Sequence, residues 1–301
     1  MSASFGARPR AARLPLTNWG IEDETSPLKD VLVGPPEHFE WLPTSAISKA
    51  ALASGRSMSS EDAVAAHAEM VAAYQDAGVR VHRLPADRAL KYQVFSRDSS
   101  VWAANGPIVT QMNQWWRRGE YAPVIDFYAS AGIEVAHMVS AAAFEGGDLV
   151  LPEVRCALIG YCEQRTQRPA AEQVRGWLSE LGWEVRLQPF DPHFVHIDVI
   201  VCMIAPGLAA ICEEAAPEGL AAWLSGKNIE LLPVSYGDAM ALGANVMALG
   251  EDRVISTRAA GSLNERLRAL GLTVYDPDLW PFTMGGGGPH CLAQPLRRDR
   301  G

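Results

Sequence analysis

The segment 77–85 reads AGVRVHRLP, and four later segments repeat its pattern of a glycine followed by alternating apolar residues. The later copies are AGIEVAHMV (131–139), LGWEVRLQP (181–189), GKNIELLPV (226–234) and LGLTVYDPD (270–278). Each copy is typical of a helix end, a C-terminal glycine and then a strand. The glycines Gly78, Gly132, Gly182, Gly226 and Gly271 predict five modules of similar length.

A helical stretch precedes each glycine, and a pair of strands precedes each of the last four helices. Amphipathic or Ala- and Leu-rich helices are predicted at 60–77, 120–131, 169–181, 217–225 and 262–270. Strand, turn and strand are predicted in SVWAANGPIVTQM (100–112), DLVLPEVRCALIG (148–160), DVIVCMIAPGLAAIC (198–212) and NVMALGEDRVIST (245–257). The chain therefore has the order strand, strand, helix, strand four times.

The two ends of the chain hold incomplete modules that complement each other. LKDVLVG (28–34), the helix at 60–77 and VRVHRLP (79–85) lack a first strand, which CLAQPLR (291–297) can supply. Closing a ring with strands from both ends removes two exposed sheet edges. We therefore predict an α/β fold in which five pseudo-symmetric modules form a closed ring. A doubly wound open sheet is the alternative for the same alternation.

Composition limits the class of protein and its partners. The 301 residues are 48% hydrophobic and 20% charged, which is typical of a globular chain with a large core. The formal charge is −9 and no basic run is interleaved with aromatic residues, which argues against nucleic acid as a partner. We predict a flexible segment at 1–26, because its start is rich in Pro, Arg and Ser, and a single catalytic domain at 27–301.

Two further patterns bear on location. No run of about 18 apolar residues occurs, and no apolar signal core follows Arg8, Arg10 and Arg13, so we predict a cytoplasmic protein without a membrane partner. The five cysteines are odd in number and form no close C-x-x-C pair, which predicts free thiols. The ring is compatible with either a monomer or a homodimer.

The residues that can do chemistry fall at the same phase of each module. Each precedes or begins the first strand: Asp98 in FSRDSS, Glu145 in EGGD, His196 and Asp198 in HID, Asn245 in GAN, and Cys291 in GGGGPHC. In a closed ring they would stand at one level around the central axis. Scattered surface residues would have no reason to keep step with the fold.

Each of these residues also has an ordinary structural interpretation. Asp98 and Asp148 can be turn or cap residues, and Glu145 can flank a glycine turn. His196 can be a hydrogen-bonded core histidine. However, Asp198 shares a face with His196 on a regular strand, and two ionisable groups in so apolar a run are costly to bury without partners. Their joint presence favours a site.

Two other histidines, His193 and His290, are interpreted as peripheral. The rest, His38, His67, His82 and His137, are interpreted as surface or packing residues.

Cys291 follows four glycines, Gly285 to Gly288, which let the backbone approach another group closely and leave amides free to point inward. A phosphate-binding loop is the competing interpretation, but no Gly-Lys-Ser/Thr follows, and Pro289 and a strand replace the required helix. The other cysteines are interpreted as inert buried thiols.

Taken together, these residues resemble the guanidino-group modifying enzymes, which include arginine deiminases, dimethylarginine dimethylaminohydrolases and amidinotransferases. The match runs from about Phe95 to the C-terminus, with FSRD, EGGD, HID and GGGGPHC in the family's order. The resemblance implies a five-bladed α/β-propeller, a small guanidino substrate such as arginine or a derivative, and neither a cofactor nor a metal.

The resemblance also implies a role for individual residues. Cys291 matches the nucleophile and His196 the general acid and base, while Asp98, Glu145 and Asp198 match carboxylates that face the guanidinium, with Glu145 also relaying protons. The stretch GYCEQRT (160–166) resembles the deiminases' G-x-S-x-R-T, which implies that Arg165 grips a substrate carboxylate. Arg97, Asp148 and Asn245 complete the predicted substrate-binding set.

A cysteine thiolate, two or more carboxylates and a histidine suit attack on a guanidinium carbon. Carboxylates fix and neutralise the planar cation, the thiolate attacks, and the histidine protonates the departing amine. We predict a hydrolase that releases ammonia or an alkylamine. The alternatives are an amidinotransferase and a non-catalytic protein that binds a guanidino ligand.

The subfamily is left open by the motifs. Retention of Asp198 is closer to deiminases and amidinotransferases, and the segment after Cys291 lacks the threonine often found there. Lid loops and pocket walls are predicted at 35–60, 86–97 and 112–120, where the sequence is least regular. The last of these contains Trp115 to Arg118, which are candidate walls, with a packed aromatic pair as the plainer interpretation.

Overall fold

A computed structural model describes residues 19–103 and 105–299, which fold into five three-stranded sheets with helices between them. The strands are β1 (Leu28–Val33), β2 (Arg80–Arg83), β3 (Ser100–Ala103), β4 (Gly106–Val109), β5 (His137–Met138), β6 (Leu149–Glu153), β7 (Cys156–Tyr161), β8 (Glu184–Pro189), β9 (Val201–Ala205), β10 (Leu208–Ile211), β11 (Glu230–Pro233), β12 (Met247–Gly250), β13 (Arg253–Ile255), β14 (Thr273–Tyr275) and β15 (Ala293–Arg298).

The helices are α1 (Ala46–Ala53), α2 (Ser60–Asp76), α3 (Tyr121–Ser130), α4 (Arg168–Glu180), α5 (Leu220–Gly226), α6 (Tyr236–Met240), α7 (Gly261–Ala269) and α8 (Trp280–Thr283). Five of them match the predicted helices to within a few residues, whereas α1, α6 and α8 lie in segments where no helix was predicted. Among the described residues, no helix combines the length and the apolar character needed to cross a membrane.

The sheets have the predicted module order. Four of them are β3-β4-β5, β6-β7-β8, β9-β10-β11 and β12-β13-β14, and each pairs its first two strands antiparallel and its last two parallel. The fifth sheet, β15-β1-β2, joins the two ends of the described chain, with β15 antiparallel to β1. The prediction of an α/β-propeller closed by both ends is confirmed, and the open doubly wound sheet is not what the chain forms.

The first strands of the sheets lie next to one another around the central axis. β15 contacts β3, β6 contacts β9, and β9 contacts β12, which in turn contacts β1. These strands are short and almost wholly buried, as in β9, where four of the five residues are buried. Turns that immediately precede the first strands therefore converge on the axis.

The predicted glycines end their helices in four of the five modules. Gly78, Gly132, Gly182 and Gly271 all have positive φ, between 73° and 90°, which glycine adopts without a steric penalty. The fourth module differs, because α5 runs through Gly226 and the left-handed residue is Asn228, with φ of 60°. Asparagine is one of the few other residues that tolerates this conformation, so the prediction at Gly226 was wrong by two positions.

The predicted flexible segment at 1–26 differs from the structure over its described part. Residues 1–18 lie outside the described residues. From Gly20 onward the backbone packs along β15, where the Gly20 amide donates to the carbonyl of Leu296 at 2.9 Å and Arg298 donates to the carbonyl of Ser26 at 2.6 Å. The buried carboxylate of Asp23 accepts the Ser26 amide at 2.6 Å. Ordered structure therefore begins before residue 27.

Candidate active site

Three single-turn 3-10 helices and one loop carry the predicted site residues to the axis. The turns Ser96–Ser99 and Gly146–Asp148 lead directly into β3 and β6, and the turn Ile197–Val199 is separated from β9 by one residue. Cys291 stands two residues before the start of β15. The structure brings together Asp98, Glu145, His196, Asp198 and Cys291, which are all buried.

A small cavity lies at this point. Its volume is about 20 Å³, enough for roughly one water molecule. The lining residues are Thr44, Ser45, Tyr92, Phe95, Asp98, Arg117, Arg165, Val195, His196, Gly285, Gly286, Gly287 and Cys291. A larger open groove of about 840 Å³ lies elsewhere, around Arg83 and Phe127, but no cysteine lines it. The small cavity is the one with a nucleophile.

His196 is held between carboxylates. Its Nε2 lies 2.9 Å from Oε2 of Glu145, and its Nδ1 lies 3.6 Å from Oδ1 of Asp98. Burial alone would lower the pKa of His196, but the charges of Asp98, Asp148 and Glu145 outweigh burial and raise the pKa to about 9. At neutral pH His196 is therefore an imidazolium that can donate a proton into the cavity.

Glu145 stays ionised although it is fully buried. Arg165 approaches its Oε2 at 3.4 Å, and the Asn113 amide donates to its Oε1 at 3.2 Å. Burial favours the neutral acid, but Arg165, His196 and Arg117 together hold the pKa of Glu145 below its ordinary value. The buried carboxylate fixes the orientation of His196.

Cys291 faces Asp198. The sulfur lies 3.5 Å from Oδ2 and 3.9 Å from Oδ1 of Asp198. Burial and the charges of Asp198 and Asp98 raise the pKa of the Cys291 thiol well above its ordinary value. The resting nucleophile is therefore a thiol, and a cation must enter before a thiolate becomes stable.

Asn245 holds the backbone of the nucleophile. Its Oδ1 accepts the amides of His290 and Cys291 at 3.1 and 3.3 Å, and its Nδ2 donates to the carbonyl of Asp198 at 3.1 Å. A side chain at Gly288 would clash, since its Cβ would lie 2.8 Å from Oδ1 of Asn245. The close backbone approach predicted for the glycine run is present here. Asn245 does not line the cavity, and its contact with a substrate stays a prediction.

Arg117 is a site residue that was predicted only as a candidate wall. Its buried guanidinium donates to Oδ2 of Asp98 at 2.8 Å and forms a two-pronged ion pair with Glu120, at 3.0 and 2.8 Å. Its neighbours Trp115 and Trp116 form the aromatic pair, with ring centroids 5.6 Å apart, and Trp115 is 75% exposed. An arginine three residues before a glutamate in a mixed segment is too common a pattern to reveal a buried pair.

Two predicted substrate-binding residues point away from the cavity. Arg97 donates to Glu24 and to the carbonyl of Leu149, because a buried guanidinium needs an acid and an acceptor. Asp148 accepts the amide of Ile197 at 2.9 Å, which ties two of the functional turns together. Arg97 and Asp148 therefore do not line the cavity, and their contact with a substrate stays a prediction.

His290 was predicted to be peripheral, and the structure corrects this as well. The side chain is 3% exposed, and its Nδ1 lies 2.8 Å from Oδ2 of Asp198. Its Nε2 lies 3.3 Å from Oε1 of Glu24, in the segment predicted to be flexible. The adjacency of His290 to Cys291 was the one available sequence signal.

The segment before α1 closes the cavity. Ser45 caps α1 by accepting the Ser48 amide, and Thr44 receives a hydrogen bond at its carbonyl from Arg165 at 3.3 Å. Both Thr44 and Ser45 line the cavity. This segment lies inside the predicted lid at 35–60, and Arg165 reaches both the lid and Glu145.

Asp98, Glu145 and His196 could in principle hold a metal ion, since one ligand atom from each lies within 4.8 Å of the others. The same carboxylates already face the cations Arg117 and Arg165, as well as the imidazolium of His196. A divalent ion would meet this positive charge at short range. The carboxylates of Asp98 and Glu145 therefore already have cationic partners within the protein.

A family model and several curated proteins match most of this chain. Residues 36–298 match the family model described as "N,N dimethylarginine dimethylhydrolase, eukaryotic". Among curated proteins, the uncharacterized protein YkgA of Bacillus subtilis is 30% identical over 234 residues, covering 77% of this chain and 79% of that protein. Arginine deiminase of Rhodococcus erythropolis is 24% identical over 243 residues, covering 68% of this chain but only 60% of the deiminase.

Among solved structures, the substrate-bound N-terminal domain of ArgZ, an arginine dihydrolase from Cyanobacteria, superposes with a TM-score of 0.78. The identity is 20%, and the match covers 89% of this chain and 98% of that one. At this identity the likeness shows the fold.

Proposed function

The chain belongs to the N,N-dimethylarginine dimethylhydrolase family, and from that premise we propose that it hydrolyses the guanidino group of arginine or an arginine derivative through a covalent bond to Cys291. The observation that carries the proposal is the small cavity lined by Cys291, His196 and Asp98, with Glu145 in contact with His196 and Asp198 in contact with Cys291. Thiol, imidazolium and carboxylates are the groups that the reaction requires.

Substrate binding activates the nucleophile in this proposal. A guanidinium is a planar cation, and the carboxylates of Asp98 and Asp198 can accept its N–H groups. Its positive charge offsets the negative charge that keeps Cys291 protonated. The thiol proton then passes to a water molecule, and the thiolate forms only when the substrate is in place.

The first chemical step forms the carbon–sulfur bond. The thiolate attacks the guanidino carbon and gives a tetrahedral adduct. The imidazolium of His196, oriented by Glu145, donates its proton to the departing nitrogen. The carbon–nitrogen bond breaks, ammonia or an alkylamine leaves, and the amidino carbon remains on sulfur.

The second step returns the enzyme to its starting state. Neutral His196 takes a proton from a water molecule as the water attacks the amidino carbon. The carbon–sulfur bond breaks, the hydroxyl proton of the adduct passes to the Cys291 thiolate, and the ureido product leaves.

Two arginines favour a substrate with a carboxylate. Arg165 and Arg117 line the cavity beside the reacting groups, and both contact internal carboxylates, Glu145 and Asp98 respectively. A substrate carboxylate can pair with Arg165, which also holds the lid at Thr44. This favours guanidino acids over guanidino compounds without an acid group.

A substrate panel tests the proposal. The protein is incubated with arginine, methylated arginines, agmatine and guanidino acids, with and without an acceptor amine, and ammonia, alkylamine and ureido products are assayed. We expect a ureido product without an acceptor. Product only with the acceptor would establish amidino transfer, and binding without turnover would establish a ligand-binding protein.

A further inference from the structure

A second imidazole, that of His290, lies behind the nucleophile and takes no part in the steps above. Its Nδ1 faces Oδ2 of Asp198 at 2.8 Å, and its Nε2 faces Oε1 of Glu24 at 3.3 Å. His290 does not line the cavity. Because a carboxylate accepts hydrogen bonds and does not donate them, both contacts are attractive only when both ring nitrogens carry a proton.

The surroundings favour this cationic form. Burial and the nearby Arg97 lower the pKa of His290, but Glu24 and Asp198 outweigh them and raise it above its ordinary value. Burial would raise the pKa of Glu24, yet Arg97 and His290 bring it down to about 2. The two buried carboxylates are therefore matched by the cations His290 and Arg97.

Asp198 depends on His290 for its charge. Burial alone would raise the pKa of Asp198, and the hydrogen bond and charge of His290 are the main factors that lower it. The oxygen that accepts from His290, Oδ2, is also the one 3.5 Å from the sulfur of Cys291. A change at His290 therefore reaches the nucleophile through one shared atom.

We propose that His290, anchored by Glu24, is a positioning residue that keeps Asp198 ionised and directed at Cys291. The assignment rests on the proposed function for its role in turnover. It also gives the segment before β1 a part in the site, because Glu24 comes from residues that precede the first strand. The charged and titratable groups that act on His290 and Asp198 are Glu24, Arg97, His196, Cys202 and Cys291.

The variant His290→Gln tests the assignment without any substrate. In the native chain the stabilisation from ionised Asp198 is present above about pH 4 and is lost only as the pH falls through its depressed pKa. The contribution of protonated His290 is constant below about pH 6.5. The native pair therefore adds no slope to stability between pH 4 and 6.5.

In the variant we expect folding to shift the pKa of Asp198 in the opposite direction. Without His290, only the charges of His196 and Arg97 oppose burial, so we expect the folded-state pKa of Asp198 to rise above the unfolded one. The folded protein then keeps a proton that the unfolded chain releases. Stability of His290→Gln then falls as the pH rises from about 4 to 6.5. We expect urea unfolding to show a destabilisation relative to the native chain that grows across this range. A destabilisation that is equal at pH 4 and 6.5 would overturn the assignment.

Turnover gives a second readout. In His290→Gln the acidic limb of kcat/KM should move to higher pH by about 1 unit or more, since protonated Asp198 cannot pair with a guanidinium. Glu24→Gln removes the charge that anchors His290 and pairs with Arg97, but it leaves His290 in place, so it should shift the limb in the same direction by less. The control is His82→Gln, which breaks a histidine–aspartate contact of equal length, 2.8 Å to Asp30, outside the site.

The outcomes separate the two proposals. The role of His290 would be contradicted if the acidic limbs of His290→Gln and Glu24→Gln coincided with that of the native chain. An equal shift in the control His82→Gln would contradict it as well. Absence of turnover on every guanidino compound would count against the proposed function and leave the unfolding test of His290 intact.

Discussion

The Nε2 atom of His196 lies 2.9 Å from the Oε2 atom of Glu145, and neither side chain is accessible to bulk water. This contact contributes to the protonation state of the site, because the charges of Asp98 and Asp148 and the contact with Glu145 together raise the pKa of the buried imidazole. The same carboxylate receives Arg165, so that the proton donor and the residue proposed to grip the substrate share one anchor.

Replacing Glu145 with a neutral residue should alter the pH dependence of turnover. A raised pKa of about 9 keeps His196 protonated, and its acid function is lost as the pH rises through that value. In Glu145→Gln the pKa of His196 falls, so we expect the basic limb of the kcat/KM profile to move to lower pH by about 1 unit or more. An unchanged basic limb would show that His196 is not the acid.

The nucleophile can be tested against a matched thiol. Cys291→Ser should lower turnover by about 10⁴-fold or more and leave ligand affinity largely intact, because an alcohol is a far weaker nucleophile at neutral pH. The control is Cys156→Ser on β7, another buried free thiol, whose pKa burial raises to about 11. Steady-state kinetics and calorimetric titration measure the two effects. Substantial activity in Cys291→Ser would defeat the assignment.

Recognition of a substrate carboxylate predicts a difference between two substrates. Arg165→Ala should raise KM for arginine by about 10-fold or more and change it much less for agmatine, which has no carboxylate. The control is Arg168→Ala, which removes an exposed ion pair with Glu172 on α4 and should change neither. Equal losses on both substrates would remove Arg165 from carboxylate binding.

The backbone at Gly147 is predicted to be as sensitive as a catalytic side chain. A Cβ there would lie 2.5 Å from Nδ1 of His196, so Gly147→Ala must displace the imidazole, and we expect a loss of turnover of about 100-fold. The control, Gly176→Ala in α4, meets nothing within 4 Å and should stabilise the protein by about 0.5–1 kcal/mol. Activity and thermal unfolding of both variants decide the point.

The repeated glycine phrase carried most of the information on the fold. It marks the end of a helix and the start of a third strand, and both features depend on local backbone preferences that a sequence displays. The fourth module shows the limit of this pattern: the left-handed residue after the helix is Asn228 and not the predicted Gly226, because both residue types tolerate that conformation. Helix α1 has no counterpart in the repeat, and no prediction placed a helix there.

The shared position within the modules identified the residues at the axis, because the turn before each first strand lies at the same axis. These residues are Asp98, Glu145, His196, Asp198 and Cys291. It could not indicate which way a side chain leaves the turn. Arg97 and Asp98 are adjacent, yet Asp98 lines the cavity and Arg97 turns to Glu24.

The missed residues depend on contacts between distant parts of the chain. His290 and Glu24 are 266 positions apart, and no local pattern reports that they meet. Glu24 also lies where composition predicts flexibility, but its burial beside two cations gives it a fixed place. Long-range charge pairing of this kind becomes visible only in three dimensions.

The central claim is a covalent bond between the substrate carbon and Cys291. It is tested most directly by acid-quenching the protein during turnover of its best guanidino substrate and measuring the mass of the peptide that contains Cys291 by mass spectrometry. We predict a transient mass increase on that peptide equal to the substrate minus the departing ammonia or alkylamine, absent in Cys291→Ser. Continued turnover with Cys291 unmodified at every time point would contradict the account.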